Sequence, residues 1–130
     1  ADTPPPRPGL RTHRLAPGDP GLIELLQQAD VFSLPTRGDA APFAVVEAMA
    51  CGTPVVAAAT GAIPELLGDG EAGVLVPAGD LEGLRRAHAD LLGDPDRRAA
   101  LGQAARDRVE RRYDSRRQTA ELVRLMREAT

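Results

Sequence analysis

The sequence predicts an α/β fold: a parallel sheet with flanking helices, followed by a helical C-terminal tail. Three observations carry this. Between residues 10 and 79, short apolar strand patterns alternate with helix patterns on brief connections, the order of a parallel sheet whose crossovers are helices. Pro54 to Ala58 is apolar at every position, as a strand covered on both faces must be. After Gly79 the strand patterns cease, and helix patterns open at Asp80, at Asp94-Pro95 and at Ser115.

Residues 1–9 hold four prolines and read as a tail or extended linker. Leu10 to Leu15 alternates and is expected to be a short strand. Asp19-Pro20 starts a helix as N-cap and first helical residue, with Leu22, Ile23, Leu25, Leu26 and Ala29 as its apolar face. Val31 to Leu34 is a strand stopped by Pro35; Pro42 to Ala50 is a helix closed by Gly52. The strand Pro54 to Ala58 is followed by a short helix, Ile63 to Leu67, a turn at 68–71 and a strand from Ala72 to Val76. In the tail, Leu84, Ala87, His88, Leu91, Leu101, Ala105 and Val109 form apolar stripes. The Arg pairs at 85–86, 97–98, 111–112 and 116–117 fall among acids and read as solvated faces.

The 130 residues suffice for one core. Phe32, Phe43 and Tyr113 are the sole aromatics, so Leu, Val and Ala must fill it. A net charge of −3 and the shortage of aromatics argue against a nucleic-acid partner. Cys51 is alone, which rules out an intramolecular disulfide and a cysteine metal cluster. His13 and His88 lack partners at ligand spacing and read as structural, so no metal is expected. No apolar run reaches the ~18–20 residues of a membrane span, and no signal pattern opens the sequence, so a cytoplasmic location is expected.

Gly38 to Gly52 is the stretch that points to chemistry. Asp39 and Glu47 stand eight positions apart, across a loop that turns into an apolar helix. Pro42 suits the first helical turn, where its missing N–H costs nothing. The amides of Phe43 and Ala44 then lack intrahelical partners at the positive end of the helix dipole, a place for an anion. Two carboxylates could accept hydroxyl donors on either side of it. Taken singly, each feature also has an ordinary explanation: a Gly-Asp turn, a helix carboxylate, the free amides of any helix start, a turn at Gly61.

Ala29 to Thr36, Asp39 to Gly52 and Thr53 to Ala57 resemble the donor-binding half of a retaining glycosyltransferase. The family is the large group-1, sucrose-synthase-like one (glycosyltransferase family 4), of GT-B architecture. Gly61 to Glu65 and Asp69 to Pro77 resemble its next two segments, and Asp94-Pro95 with the closing Arg-rich helices its tail. The resemblance implies a partial Rossmann-like sheet, the second half of a GT-B C-terminal domain. Residues 10–79 would be the donor-binding half-domain and residues 80–130 helices packing on it.

It also implies roles. Asp39 and Ala41 would meet the donor sugar, Phe43, Ala44 and Gly61 the diphosphate, and Glu47 the ribose. The donor would be a UDP-, GDP- or ADP-linked sugar, a substrate and not a cofactor. Transfer would retain anomeric configuration without a required metal, and no residue is assigned a catalytic role. Two departures stand out. Asp39 occupies a position usually held by Glu, shortening the reach by one methylene, ~1.5 Å, and the sequence has no Lys to neutralise a diphosphate.

With the family's strand order 3-2-1-4-5-6, the strand at Leu10 would be third and that at Val31 fourth. The chain is therefore expected to be a fragment, inactive alone, whose acceptor-binding N-terminal domain belongs in cis. A second copy could supply the strands it lacks, and a longer parent could touch a membrane peripherally. Competing expectations are a non-catalytic assembly module on the same scaffold and a GT-B sugar-nucleotide epimerase.

Overall fold

In a computed structural model, residues 7–13, 15, 19–35 and 42–113 are described. Among them three strands, β1 (Phe32–Leu34), β2 (Val55–Ala58) and β3 (Val74–Val76), form a parallel sheet in that order. Phe32 pairs with Val55 and Val56 with Val74. Every residue of β2 is buried, as its unbroken apolar run requires of a central strand.

Among the described residues, five α-helices surround the sheet: α1 (Pro20–Gln28), α2 (Pro42–Ala50), α3 (Ile63–Leu66), α4 (Leu81–Leu92) and α5 (Pro95–Tyr113). The order β1-β2-β3 with right-handed crossovers puts α2 and α3 on one face. There Val45, Ala48, Met49, Ile63 and Leu66 pack with Val55 and Ala57. Leu26 of α1 joins the same cluster, and the Thr53 hydroxyl donates to the Leu26 carbonyl at 2.6 Å. On the other face, Leu84, Ala87 and Leu91 of α4 pack on Val56, Val74 and Val76.

Capping follows the sequence. Asp19, Asp80 and Asp94 each accept a backbone N–H at the helix start they precede, from Gly21, Gly83 and Arg97 at 2.8, 2.9 and 3.0 Å. Gly52, at φ +72°, ends α2 in a Schellman motif. Its N–H bonds the Met49 carbonyl at 3.0 Å, and the Thr53 N–H bonds Ala48 at 3.0 Å.

Helix α5 crosses the amino edge of the sheet and meets the ends of three helices in turn. Arg98 donates to the Leu91 and Leu92 carbonyls of α4 at 2.7 and 2.9 Å. Gly102 lies against the Gly52 carbonyl at the end of α2, where a Cβ would collide with that backbone. Arg108 donates to the Leu66 and Glu65 carbonyls of α3 at 2.9 and 2.7 Å. Leu101 belongs to one core cluster and Ala105 to the other, so α5 closes the edge between them.

The structure corrects several expectations. Leu10 to Arg11, Thr12, His13 and Leu15 form no strand; Leu10 is 48% exposed and its N–H turns back to the Arg7 carbonyl. Alternation there has only two apolar residues behind it, and among the described residues β1 has no neighbour but β2 to pair with. Strand β3 begins at Val74 and not Ala72, because the Ala72 N–H is bonded to the Leu67 carbonyl at 2.9 Å. The 68–71 turn is a 3₁₀ segment in which Gly68, Asp69 and Gly70 all have positive φ. Arg98 and Arg112 are not on a purely solvated face: the first caps α4, and the second pairs with Glu65 at 3.5 Å. The helix expected from Ser115 lies outside the described residues.

Candidate functional site at the carboxyl edge

A parallel sheet sends every strand's carboxyl end to one edge, and each helix that follows a strand starts there. That edge carries Pro35 after β1, Ala59 to Gly61 after β2 and Pro77 to Asp80 after β3, with the starts of α2, α3 and α4. The opposite edge is closed by α5. In open α/β sheets the carboxyl edge is where ligands bind.

Helix α2 brings together three of the residues singled out in the sequence. Phe43 and Ala44 are in its first turn, whose amides have no partner within the helix. Phe43 is 40% exposed. Glu47 follows Phe43 by four residues and so shares its helix face. It is half-buried, with Oε2 out of solvent contact. Val45, Val46, Ala48 and Met49 of α2 are buried in the core, whereas Ala50 is exposed. Hence the helix cannot turn Glu47 elsewhere without burying a charge or exposing the core.

The charge of Glu47 is felt one turn on. Burial pushes the Cys51 thiol above its ordinary range, the Glu47 carboxylate pushes it the same way, and Arg106 opposes both. Gly61 stands at the same edge with φ +53°, a conformation that L side chains rarely adopt, and is exposed. Asp39 and Ala41 lie outside the described residues.

Sequence reasoning passed over Thr60, between β2 and Gly61. Its Oγ1 is buried and, among the described residues, has no hydrogen-bond partner. A Thr immediately after an apolar strand was the available signal. On the α4 side of the edge, Pro35, Ala58, Val76, Pro77, Gly79, Leu81 and Leu84 line a small depression together with Asp80. No group of three or more His, Cys, Asp or Glu among the described residues could hold a metal ion. Nor is any helix among them long and apolar enough to cross a membrane.

These features define a doubly wound α/β unit of the kind that carries its ligand site where strands end and helices begin. The sequence profile of the glycosyl transferases group 1 family matches residues 11–108, and the chain belongs to that family. It is 38% identical over 112 residues to a D-inositol 3-phosphate glycosyltransferase of Saccharomonospora viridis, covering 86% of this chain and 26% of that protein. It is 44% identical over 85 residues to a GDP-mannose-dependent alpha-(1-6)-phosphatidylinositol monomannoside mannosyltransferase of Mycolicibacterium smegmatis, covering 60% and 22%. Among solved structures, sucrose-phosphate synthase from Thermosynechococcus elongatus superposes with a TM-score of 0.65 at 33% identity, over 76% of this chain and 25% of that one. The fold is thus that of a GT-B glycosyltransferase domain. The chain spans about a quarter of the length of these relatives.

Proposed function

We propose that this chain forms the nucleotide-sugar-binding part of a retaining glycosyltransferase. What supports the reading is that Phe43 and Ala44 open α2 and Gly61 follows β2 at the carboxyl edge, with Glu47 one turn further along α2, in a chain of the glycosyl transferases group 1 family. The Phe43, Ala44 and Gly61 amides bind the diphosphate, and the Glu47 carboxylate accepts the ribose hydroxyls. Asp39 and Ala41 meet the sugar. The donor is a UDP-, GDP- or ADP-linked sugar that acts as substrate, with no separate cofactor. Sugar transfer with retention of configuration needs an acceptor-binding domain in cis, so the chain alone does not turn over. The same reading places it in the cytoplasm.

Calorimetric titration with UDP, GDP, ADP and their sugars tests this. One of the three series should bind, and Glu47→Ala should weaken it at least tenfold, as loss of a carboxylate's hydrogen bonds to hydroxyls implies. No binding in any series would overturn the donor-site reading.

A second reading, an assembly module, is favoured by β1. It has β2 on one side and, among the described residues, no strand on the other, and Ser33 on its far face is exposed. Such an edge invites pairing with a second copy. Sedimentation that gives a monomer at high concentration would sink the homodimer.

A further inference from the structure

We propose that Thr60 donates a hydrogen bond from its hydroxyl to a phosphate oxygen of a nucleoside diphosphate; this rests on the donor-site reading above. Thr60 follows β2, the middle strand, and so lies at the centre of the carboxyl edge. Its backbone is already committed. The N–H bonds the Ala58 carbonyl at 2.9 Å, and the carbonyl accepts from Ile63 at 3.0 Å. The hydroxyl is not: Oγ1 is buried and has no partner among the described residues. Nor does it cap α3, whose N-cap, Ala62, receives no side-chain hydrogen bond.

The hydroxyl of the buried Thr53 behaves differently. Thr53, at the amino edge, is 3% exposed and its hydroxyl is bonded to the Leu26 carbonyl. The fold therefore satisfies a buried hydroxyl where that group is structural. An unsatisfied one is unfavourable, and valine would fill the same space without that cost. Its retention at a ligand edge points to a partner that comes from outside the protein. The Gly61 amide flanks Thr60, and the start of α2 belongs to the same sheet edge, where helix starts favour anions. A hydroxyl bonded to a charged oxygen makes the stronger, charge-assisted bond.

The test uses Thr60→Val and Thr60→Ser in the 130-residue chain, with nuclear magnetic resonance titrations of UDP, GDP, ADP and inorganic pyrophosphate, and thermal melts alongside. T60V should melt at or above the wild-type temperature, yet bind its preferred diphosphate about tenfold more weakly or worse. Pyrophosphate should lose affinity in parallel, and T60S should bind like wild type.

Wild-type affinity in T60V, in a chain whose binding E47A abolishes, overturns the inference and leaves the donor site standing. A melt several degrees lower for T60V overturns it as well, because the hydroxyl would then serve the fold. Loss of binding in T60S assigns the effect to the methyl group. Loss for the nucleotides but not for pyrophosphate moves the contact off the phosphates; either result is contrary. If wild type binds none of these ligands, the donor-site reading and the inference fall together.

Discussion

Replacing Gly102 by alanine tests the way α5 is seated. Alanine is the better helix former by about 0.8–1.0 kcal/mol, so on propensity alone the change should stabilise. The structure reverses that sign. A Cβ at 102 would fall on the Gly52 carbonyl oxygen, which belongs to backbone and not to a flexible side chain. Gly52 cannot retreat easily, because its positive φ and the two hydrogen bonds of its motif hold the end of α2. Helix α5 must move instead, taking Leu101 and Ala105 from their places in the core. Overpacking costs roughly 1–3 kcal/mol and more where backbone opposes it. Gly102→Ala should therefore lose about 1–2 kcal/mol net of the propensity gain. Urea denaturation followed by circular dichroism measures this, with Gln103→Ala as an exposed control expected within about 0.5 kcal/mol of wild type. A G102A chain as stable as wild type would refute the close approach of the two backbones.

Other substitutions probe the remaining attachments. Leu91 is fully buried between α4 and the sheet, so Leu91→Ala should cost about 2–5 kcal/mol in the same assay. Arg108→Ala removes two hydrogen bonds to the end of α3 and should cost about 1–3 kcal/mol; Arg108→Lys should recover only part, lacking the forked donor. Burial and Glu47 raise the Cys51 thiol, so the folded chain favours the protonated form. Its contribution to stability is complete below the ordinary thiol range and is lost as pH rises through the raised value. Denaturation curves across that range should show the decline, and Cys51→Ala should flatten it.

The sequence made the local signals legible. Aspartates before Pro20, Leu81 and Pro95 announced helix starts, Gly52 announced an end, and the unbroken apolar run at Val55 to Ala58 announced the central strand. Of the candidate site, the sequence made legible that Phe43, Ala44 and Glu47 share one helix, while Asp39 and Ala41 lie outside the described residues. What failed depended on distant partners. Leu10 to Leu15 has a strand's alternation, but a strand needs a neighbour to bond with, and the residues themselves do not say whether one exists. Arg98 and Arg108 sit in a charged helix where solvent exposure is the natural expectation. Their targets are carbonyls at the ends of other helices, 6–7 and 42–43 residues away. Thr60 was missed because a buried hydroxyl is invisible until its surroundings are known.

The attachment of α5 to three helix ends has a consequence for how the chain opens. At the amino edge the ends of α2, α3 and α4 cannot fray one at a time, because Arg98, Gly102 and Arg108 hold all three against one rod. Amide protons of Met49, Leu66 and Leu91 should then exchange with solvent only when the whole chain unfolds. Those around Gly61 depend on a turn and should exchange through small local openings. A gradient of protection follows, steepest along the strands and lowest where a ligand would arrive. Adjustment to that ligand would leave the core undisturbed.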